Sequence, residues 1–143
     1  MQTDLARILS VSGQHGLYRY VAQARGGAIG ESLETGQRKV FPATSRISTL
    51  ADIAIYTDSG EMKLDAVFLA LKAALGDADA PSAKAPEQEL TDLFRKAVPD
   101  YDADRFYVSH MRKVVDWYDQ IVKYASLDFV KEGEPADDAQ PQD

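Results

Sequence analysis

The spacing of apolar residues divides the chain into an N-terminal part with short runs and a C-terminal part with helical periodicity. Between residues 16 and 41, three runs rich in Tyr, Val, Ile and Phe are separated by two turns that contain glycine. Short β-prone runs bounded by such turns are typical of consecutive antiparallel hairpins. We therefore predict a β-meander whose third run is ended by Pro42, which cannot donate to a central ladder, and which continues with a fourth strand at 53–56.

The first apolar run, residues 4–11, fits two kinds of element. Leu5, Ile8 and Leu9 have helical spacing, whereas Ile8, Leu9 and Val11 suit a strand. The pattern alone leaves both interpretations open.

From residue 64 the period of the apolar positions changes from two to 3.6, which predicts a helix over 64–75. Gly76 follows the last apolar position, where glycine commonly ends a helix. We expect this helix to pack on the preceding strands and so complete their core. Its stripe is Leu64, Val67, Phe68, Leu71 and Leu75.

Two more helices are predicted after a linker at 77–86, which has small residues, two prolines and no large apolar group. One helix has Pro86 in its first turn and is ended by Pro99, and the other starts at a Ser109 N-cap and ends near Ala125. Beyond Lys131 the tail is acidic and is predicted to be disordered. The apolar stripe of the last helix is Met111, Val114, Val115, Tyr118, Ile121 and Val122.

These elements predict an α+β fold. Residues 1–76 are expected to form a small antiparallel barrel or bent sheet, SH3-like or Sm-like, followed by a helix. Residues 87–130 are expected to form a C-terminal helical subdomain after the linker at 77–86, with a disordered acidic tail at 131–143. Whether the two halves pack together is left open.

Composition narrows the class of protein. The 143 residues are 45% hydrophobic and 27% charged, which is typical of a globular domain, and they include no cysteine. We see no secretion signal and no apolar run long enough to cross a membrane, so we expect a cytoplasmic protein. Residues 1–76 carry eight Lys or Arg against seven Asp or Glu, whereas residues 77–143 carry eight against sixteen. Only the first half therefore suits an anionic partner.

One acidic stretch resembles the start of a calcium loop. Asp100, Asp102 and Asp104 alternate as the first ligands of an EF-hand would. The match then fails, because Arg105 stands where glycine is required and Met111 where a bidentate glutamate would close the site. The aspartates are better explained as residues flanking the ends of helices.

No other pattern indicates catalysis. His15 and His110 are not surrounded by residues at metal-ligand spacing, and the glycines at 13 and 16 are better explained as a turn than as a nucleic-acid clamp. No P-loop, dinucleotide fingerprint or nucleophile elbow is present. We therefore predict a protein that is not an enzyme and that has no metal and no cofactor.

One basic set points to binding. Cations beside the tyrosines at 18 and 20 could follow phosphates while the rings stack on bases. Both tyrosines share the apolar face of their strand, however, so core packing is favoured and the cations are explained as a solvent face. We therefore expect an interaction module for another protein or for itself, and the alternative is a weak RNA- or DNA-binding module. The basic residues are Arg19, Arg25, Arg38, Lys39 and Arg46.

Three blocks of the sequence resemble an uncharacterised family of small proteins common in Bacteroidota. The likeness covers nearly the whole chain except the linker and the tail, and His110 departs from it, since an acidic residue is expected there. The resemblance implies a lineage and a non-secreted setting but no activity. The residues that carry it are Leu5, Ile8, Leu9, Val11, Ser12, Gly13, Gly16, Leu17 and Tyr18; Leu50, Asp52, Ile53, Ile55, Tyr56 and Thr57; and Tyr107, Ser109, Trp117 and Tyr118.

Overall fold

The computed structural model describes residues 2–14 and 16–129. Its internal contacts divide the chain into two compact units, which we call unit 1 (up to Asp52, and again from Gln120) and unit 2 (Ile53–Asp119). His15 and the predicted disordered tail at 131–143 lie outside the described residues.

Unit 1 contains a five-stranded antiparallel sheet, so the predicted β-meander is confirmed. The order of strands is β4-β3-β2-β1-β5, because the last strand returns to pair with the first. The hairpin turn between the second and third strands is made by Gly26, whose φ of +75° favours glycine. The strands are β1 Ile8–Val11, β2 Tyr18–Ala24, β3 Gly27–Ser32, β4 Arg38–Pro42 and β5 Ile47–Thr49.

Both interpretations of the first apolar run hold in part. Leu5–Arg7 forms a single 3-10 turn, which Asp4 caps by accepting a hydrogen bond from the backbone N–H of Ala6 at 3.0 Å. The chain then enters β1 directly. A second 3-10 turn, Leu50–Asp52, ends the first stretch of unit 1.

The core of unit 1 shows that its sheet bends. Leu9 and Val11 of β1 share one buried cluster with Tyr18 of β2 and Phe41 of β4. In a flat sheet the edge strands β4 and β5 would lie about 19 Å apart, four strand spacings, yet Phe41 of β4 and Ile47 of β5 line one cleft, so the sheet curves. The Phe41 ring reaches Tyr18 with its centroid at 4.9 Å by crossing Gly30 of β3, where a Cβ would lie 3.1 Å from the ring.

The barrel is not confirmed. In the described residues, β4 and β5 are the two edges of the sheet and do not pair with each other, so the sheet is open. The expected α+β class is correct, whereas the SH3-like or Sm-like description stays a prediction.

Unit 2 begins with a hairpin of its own. The strand predicted at 53–56 is present as β6, Ala54–Thr57, but it pairs with β7, Gly60–Lys63, and not with the N-terminal sheet. Our expectation that it continues the meander is therefore wrong. The turn is stabilised by the Thr57 hydroxyl, which donates to the carbonyl oxygen of Gly60 at 2.7 Å.

The helices begin and end close to their predicted positions. They are α1 Leu64–Leu75, α2 Glu87–Ala97 and α3 Val108–Tyr124, of which α3 begins in unit 2. We expected α1 to pack on the N-terminal strands, but it lies in unit 2, where it packs with α2 and β7. The segment 77–86 connects α1 to α2, and Arg112 of α3 holds its end by donating to the carbonyl oxygens of Ala83 and Ala85, both at 2.8 Å.

Two details of α3 differ from prediction. The helix starts at Val108, so Ser109 is not its N-cap; instead His110 Nδ1 accepts a hydrogen bond from the backbone N–H of Tyr107 at 3.0 Å. Val122, which we placed on the buried stripe, is 47% exposed.

Candidate binding surfaces

The sheet of unit 1 brings three of the five predicted basic residues to one end of its strands. Arg19, Glu31 and Arg38 face one another across β2, β3 and β4. Glu31 lies between the two arginines, at 3.6 Å from Arg19 and 3.3 Å from Arg38. Lys39 follows on β4 and donates to Gln14 Oε1 at 3.2 Å. Glu31 thus faces two arginines, and Lys39 adds a third cation on the other face of the sheet, so this group carries a net positive charge.

The other two basic residues lie in the connections between strands. Arg25 is in the β2–β3 turn, six residues from Arg19 along an extended strand, or about 20 Å. Arg46 precedes β5 at the opposite edge of the sheet from β4. Tyr18 is buried beside Phe41, and Tyr20 packs against the same cluster. Tyr18 therefore belongs to the core of unit 1, as its position on the apolar face of the strand indicated.

The concave part of unit 1 also contains a cleft of about 420 Å³ at the end of the β2–β3 hairpin. Neutral residues line it, and they include Gly27, Phe41, Pro42, Ser45 and Ile47. With no charged side chain among these lining residues, the cleft indicates no particular ligand chemistry.

A second surface forms in unit 2, where the segment after α2 runs beside β6. The backbone N–H of Asp58 donates to Asp100 O at 2.8 Å, and that of Asp102 donates to Tyr56 O at 2.9 Å. Thr57 and Tyr101 form an antiparallel bridge between these bonds. The segment is therefore fixed against the hairpin through its backbone.

Asp102 then organises the turn that follows. Its carboxylate accepts hydrogen bonds from Arg105 Nε at 2.9 Å and from the backbone N–H of Asp104 at 3.0 Å. The Arg105 hydrogen bond, together with that of Asp104, holds the pKa of the Asp102 carboxyl below its ordinary value. The guanidinium of Arg105 lies over the Tyr56 ring, 4.4 Å from its centroid, which is cation–π geometry.

Buried and exposed aromatics alternate at the end of this segment. Phe106 is buried, and its ring centroid lies 5.2 Å from Phe94 and 5.7 Å from Tyr101. Tyr107 is 54% exposed, but its hydroxyl donates to Asp104 O at 2.7 Å.

The Tyr107 ring also stacks on His110, with the centroids 5.2 Å apart. We call Tyr56, Arg105, Tyr107 and His110 the tyrosine surface. Its exposed rings are held by stacking and hydrogen bonds.

The sequence analysis did not predict the tyrosine surface. Tyr56 was assigned to a strand of the meander, and Tyr107 to a short β-prone run. The sequence feature that could have indicated this surface is the family resemblance, because Tyr56 and Tyr107 belong to two of the sequence blocks that carry it. Only the backbone pairing of 100–102 with β6 brings those two blocks together.

The acidic stretch itself has another role. Asp102 bonds to Arg105 and to backbone, and Asp100 Oδ2 accepts a hydrogen bond from the Ser59 hydroxyl at 2.9 Å. Within residues 2–14 and 16–129, no group of three metal-ligating side chains comes together. Over the same residues, no helix is long and apolar enough to span a membrane.

The fold and its two surfaces define a two-unit α+β protein, and comparisons place it in a family. The family described as "Domain of unknown function (DUF5606)" matches residues 5–50, and "Domain of unknown function (DUF6852)" matches residues 53–121. The two matches meet where unit 1 gives way to unit 2.

A solution NMR structure of a structural-genomics target from Bacteroides vulgatus is 33% identical to this chain with a TM-score of 0.70. The match covers 84% of this chain and 87% of that one. The chain therefore belongs to the same family, an uncharacterised one, and the resemblance found in the sequence is confirmed. A comparison with curated proteins gave no match.

Proposed function

We propose that this protein is a non-enzymatic interaction module whose tyrosine surface binds another protein. The observation that supports this proposal is that Tyr56 and Tyr107 remain 39% and 54% exposed although each ring is held in place, by Arg105 and by His110 respectively. Tyrosine and arginine are also the residue types that contribute most often to binding energy at protein interfaces.

The fixed geometry matters because a flexible side chain loses rotamer freedom when a partner immobilises it, at about 0.5–1.5 kcal/mol for each long side chain. In the tyrosine surface much of this ordering is already present. Arg105 is held by Asp102, and Tyr107 by Asp104 and His110. A partner therefore meets a surface that needs little rearrangement.

The test is a pull-down of the tagged full-length chain from the lysate of its source organism, with and without nuclease. We expect a protein partner that survives nuclease and whose affinity falls about thirtyfold or more for Tyr56→Ala combined with Tyr107→Ala, since interface hot spots contribute about 2 kcal/mol or more. Leu69→Ala is the matched control, because Leu69 is 49% exposed on α1 of the same unit. Equal capture by the double variant and the parent would contradict the proposal.

A second candidate function is binding to RNA or DNA through unit 1. Residues 5–50, the first family match, carry six Lys or Arg against two Asp or Glu, a higher positive balance than the sequence halves suggested. If unit 1 binds nucleic acid, affinity should fall steeply with salt because bound counterions are released. Arg38→Glu combined with Lys39→Glu should weaken that binding. Affinity unaffected by salt and by this variant would exclude it.

A further inference from the structure

The outer edge of the unit 1 sheet has a backbone that nothing in the described part of the chain pairs with. Among the strands of the described residues, β4 lies at one edge of the sheet and pairs with β3 alone. Four of its five residues are exposed, all except Phe41. A free edge of this length can accept an additional strand.

The hydrogen bonds at the two ends of the β3–β4 ladder show which backbone groups of β4 point outward. Ser32 N–H donates to Gln37 O, and Ala43 N–H donates to Gly26 O. In an antiparallel pair, hydrogen-bonded and non-hydrogen-bonded residues alternate. Residues 37, 39, 41 and 43 therefore direct their backbone groups toward β3.

Residues 38, 40 and 42 consequently direct their backbone groups away from the sheet. Arg38 and Val40 each offer one free N–H and one free C=O, and Pro42 offers a C=O alone. The proline limits extension of the ladder at this end, so the edge is suited to a short partner segment.

The side chains of β4 indicate the chemistry of that segment. Val40 is 61% exposed and lies opposite Ile29 on the outer face, so it can be covered by an apolar residue. Arg38 and Lys39 precede it, both exposed, and residues 5–50 around them carry six Lys or Arg against two Asp or Glu. A partner strand is therefore expected to be apolar opposite Val40 and acidic opposite the two cations.

We propose that the β4 edge binds an extended acidic peptide of another protein as a sixth, antiparallel strand of the sheet. A second copy of this chain fits less well, because pairing centred on Val40 would place Pro42 opposite Arg38 and leave two carbonyl groups without a donor. Two positively charged sheets would also repel each other. This site lies in unit 1 and does not depend on the tyrosine surface.

The probes are two labelled peptides, TTVEET and TTVKKT, and a short single-stranded poly-uridine RNA, measured with the full chain by fluorescence anisotropy. In antiparallel alignment the valine of TTVEET faces Val40, and its glutamates face Lys39 and Arg38. We expect TTVEET to bind and TTVKKT not to bind. Arg38→Glu with Lys39→Glu should weaken TTVEET about tenfold, since two exposed ion pairs become repulsive. Arg25→Glu, the same charge change in the distant turn, should have little effect.

Hydrogen exchange of the backbone amides distinguishes addition of a strand to the sheet from nonspecific electrostatic attraction. In the free protein the amides of Arg38 and Val40 should exchange with solvent much faster than those of Lys39 and Phe41. Adding TTVEET should protect Arg38 and Val40. Val40→Pro removes one outward N–H without removing a β3–β4 hydrogen bond, so it should abolish peptide binding and leave the thermal midpoint nearly unchanged. Val40→Thr, which keeps the N–H, should still bind.

Four results would overturn the proposal. They are equal binding of the two peptides, peptide binding without protection of Val40, and RNA binding that depends on Arg38 and Lys39 while TTVEET does not bind. The fourth is that the protein does not bind the peptide but forms a dimer, and that Val40→Pro abolishes this dimer. Loss of the tyrosine surface by Tyr56→Ala with Tyr107→Ala should not change peptide binding, so failure here is distinguishable from failure of the proposed function.

Discussion

The two units offer different kinds of surface. Unit 1 exposes a strand edge, where the binding groups are backbone N–H and C=O and the cations around them are on long side chains. Unit 2 exposes aromatic rings whose positions are set by hydrogen bonds in one short segment. The strand register positions the first surface, and the packing of residues 98–107 positions the second. Each should therefore be sensitive to changes that the other tolerates.

The largest effect is expected from Phe94→Ala in α2. Phe94 is fully buried and meets Phe106 edge-on at 5.2 Å, so its removal should cost about 3–5 kcal/mol of the free energy of unfolding of unit 2. Phe106 anchors the chain between Arg105 and Tyr107, so the tyrosine surface should lose its order as well. Hydrogen exchange resolved by residue would measure both effects.

The same experiment tests whether the two surfaces are separate. Amides of β2 and β3 in unit 1 should keep their protection in Phe94→Ala, and TTVEET should still bind. Leu93→Ala on the same helix is the control, since Leu93 is only partly buried. If protection were lost equally throughout both units, the two would unfold together and the comparison would fail.

Gly27→Ala should produce the converse result. A Cβ at Gly27 would collide with the backbone carbonyl oxygen of Phe41, and this oxygen cannot move without opening the β3–β4 ladder. Steric insertion of this kind costs about 1–3 kcal/mol, and we expect the upper end because backbone is involved. Thermal unfolding should report the loss, and the β4 edge should lose its peptide binding while the tyrosine surface is unchanged.

Gly13→Ala separates steric from conformational cost. Gly13 has a φ of +84° and open space around its Cβ position, so alanine there should cost only about 1–2 kcal/mol for the left-handed backbone. If Gly27→Ala were no more destabilising than Gly13→Ala, the tight contact between β3 and β4 would be disproved.

The sequence predicted those features that depend on local information. Helix α1 was found with its bounds because five apolar residues follow one period and Gly76 ends it, all of which is local information. The partner of a strand is not local. β6 carries an ordinary β-prone run, and nothing in its residues distinguishes pairing with β7 from pairing with the meander.

The candidate surfaces follow the same rule. Arg38 and Lys39 were identified because charge can be read directly from the sequence, but the free edge beside them became visible only when β5 was found to pair with β1 and not with β4. The tyrosine surface was missed because Tyr56 and Tyr107 are fifty-one positions apart, and backbone hydrogen bonds between residues 56–58 and 100–102 join the two segments. A hydrophobic pattern contains no record of such bonds.

The smallest expected effect concerns Asp102, and its pH dependence tests whether the tyrosine surface is set by hydrogen bonds. The pKa of the Asp102 carboxyl is lowered from its ordinary 3.8, first by the hydrogen bond from Arg105 and then by that from the Asp104 N–H. A folded-state pKa below the unfolded value means that the carboxylate stabilises the fold above pH 3.8 and that this contribution disappears as pH falls through the lowered pKa. Asp102→Asn should therefore lower the denaturation midpoint slightly at neutral pH and not at all in strong acid.

The readout that assigns this effect to the tyrosine surface is the NMR shift of Arg105 Hε, which lies near the Tyr56 ring in the folded protein. The shift should move toward its random-coil value in Asp102→Asn at neutral pH, and in the parent only when Asp102 is protonated. Asp104→Asn is the matched control, because Asp104 contributes its backbone N–H and C=O to the hydrogen bonds of this turn. If both variants moved the Arg105 Hε shift equally, the position of Arg105 would depend on the total negative charge around it. The hydrogen bond to Asp102 would then not be what holds it.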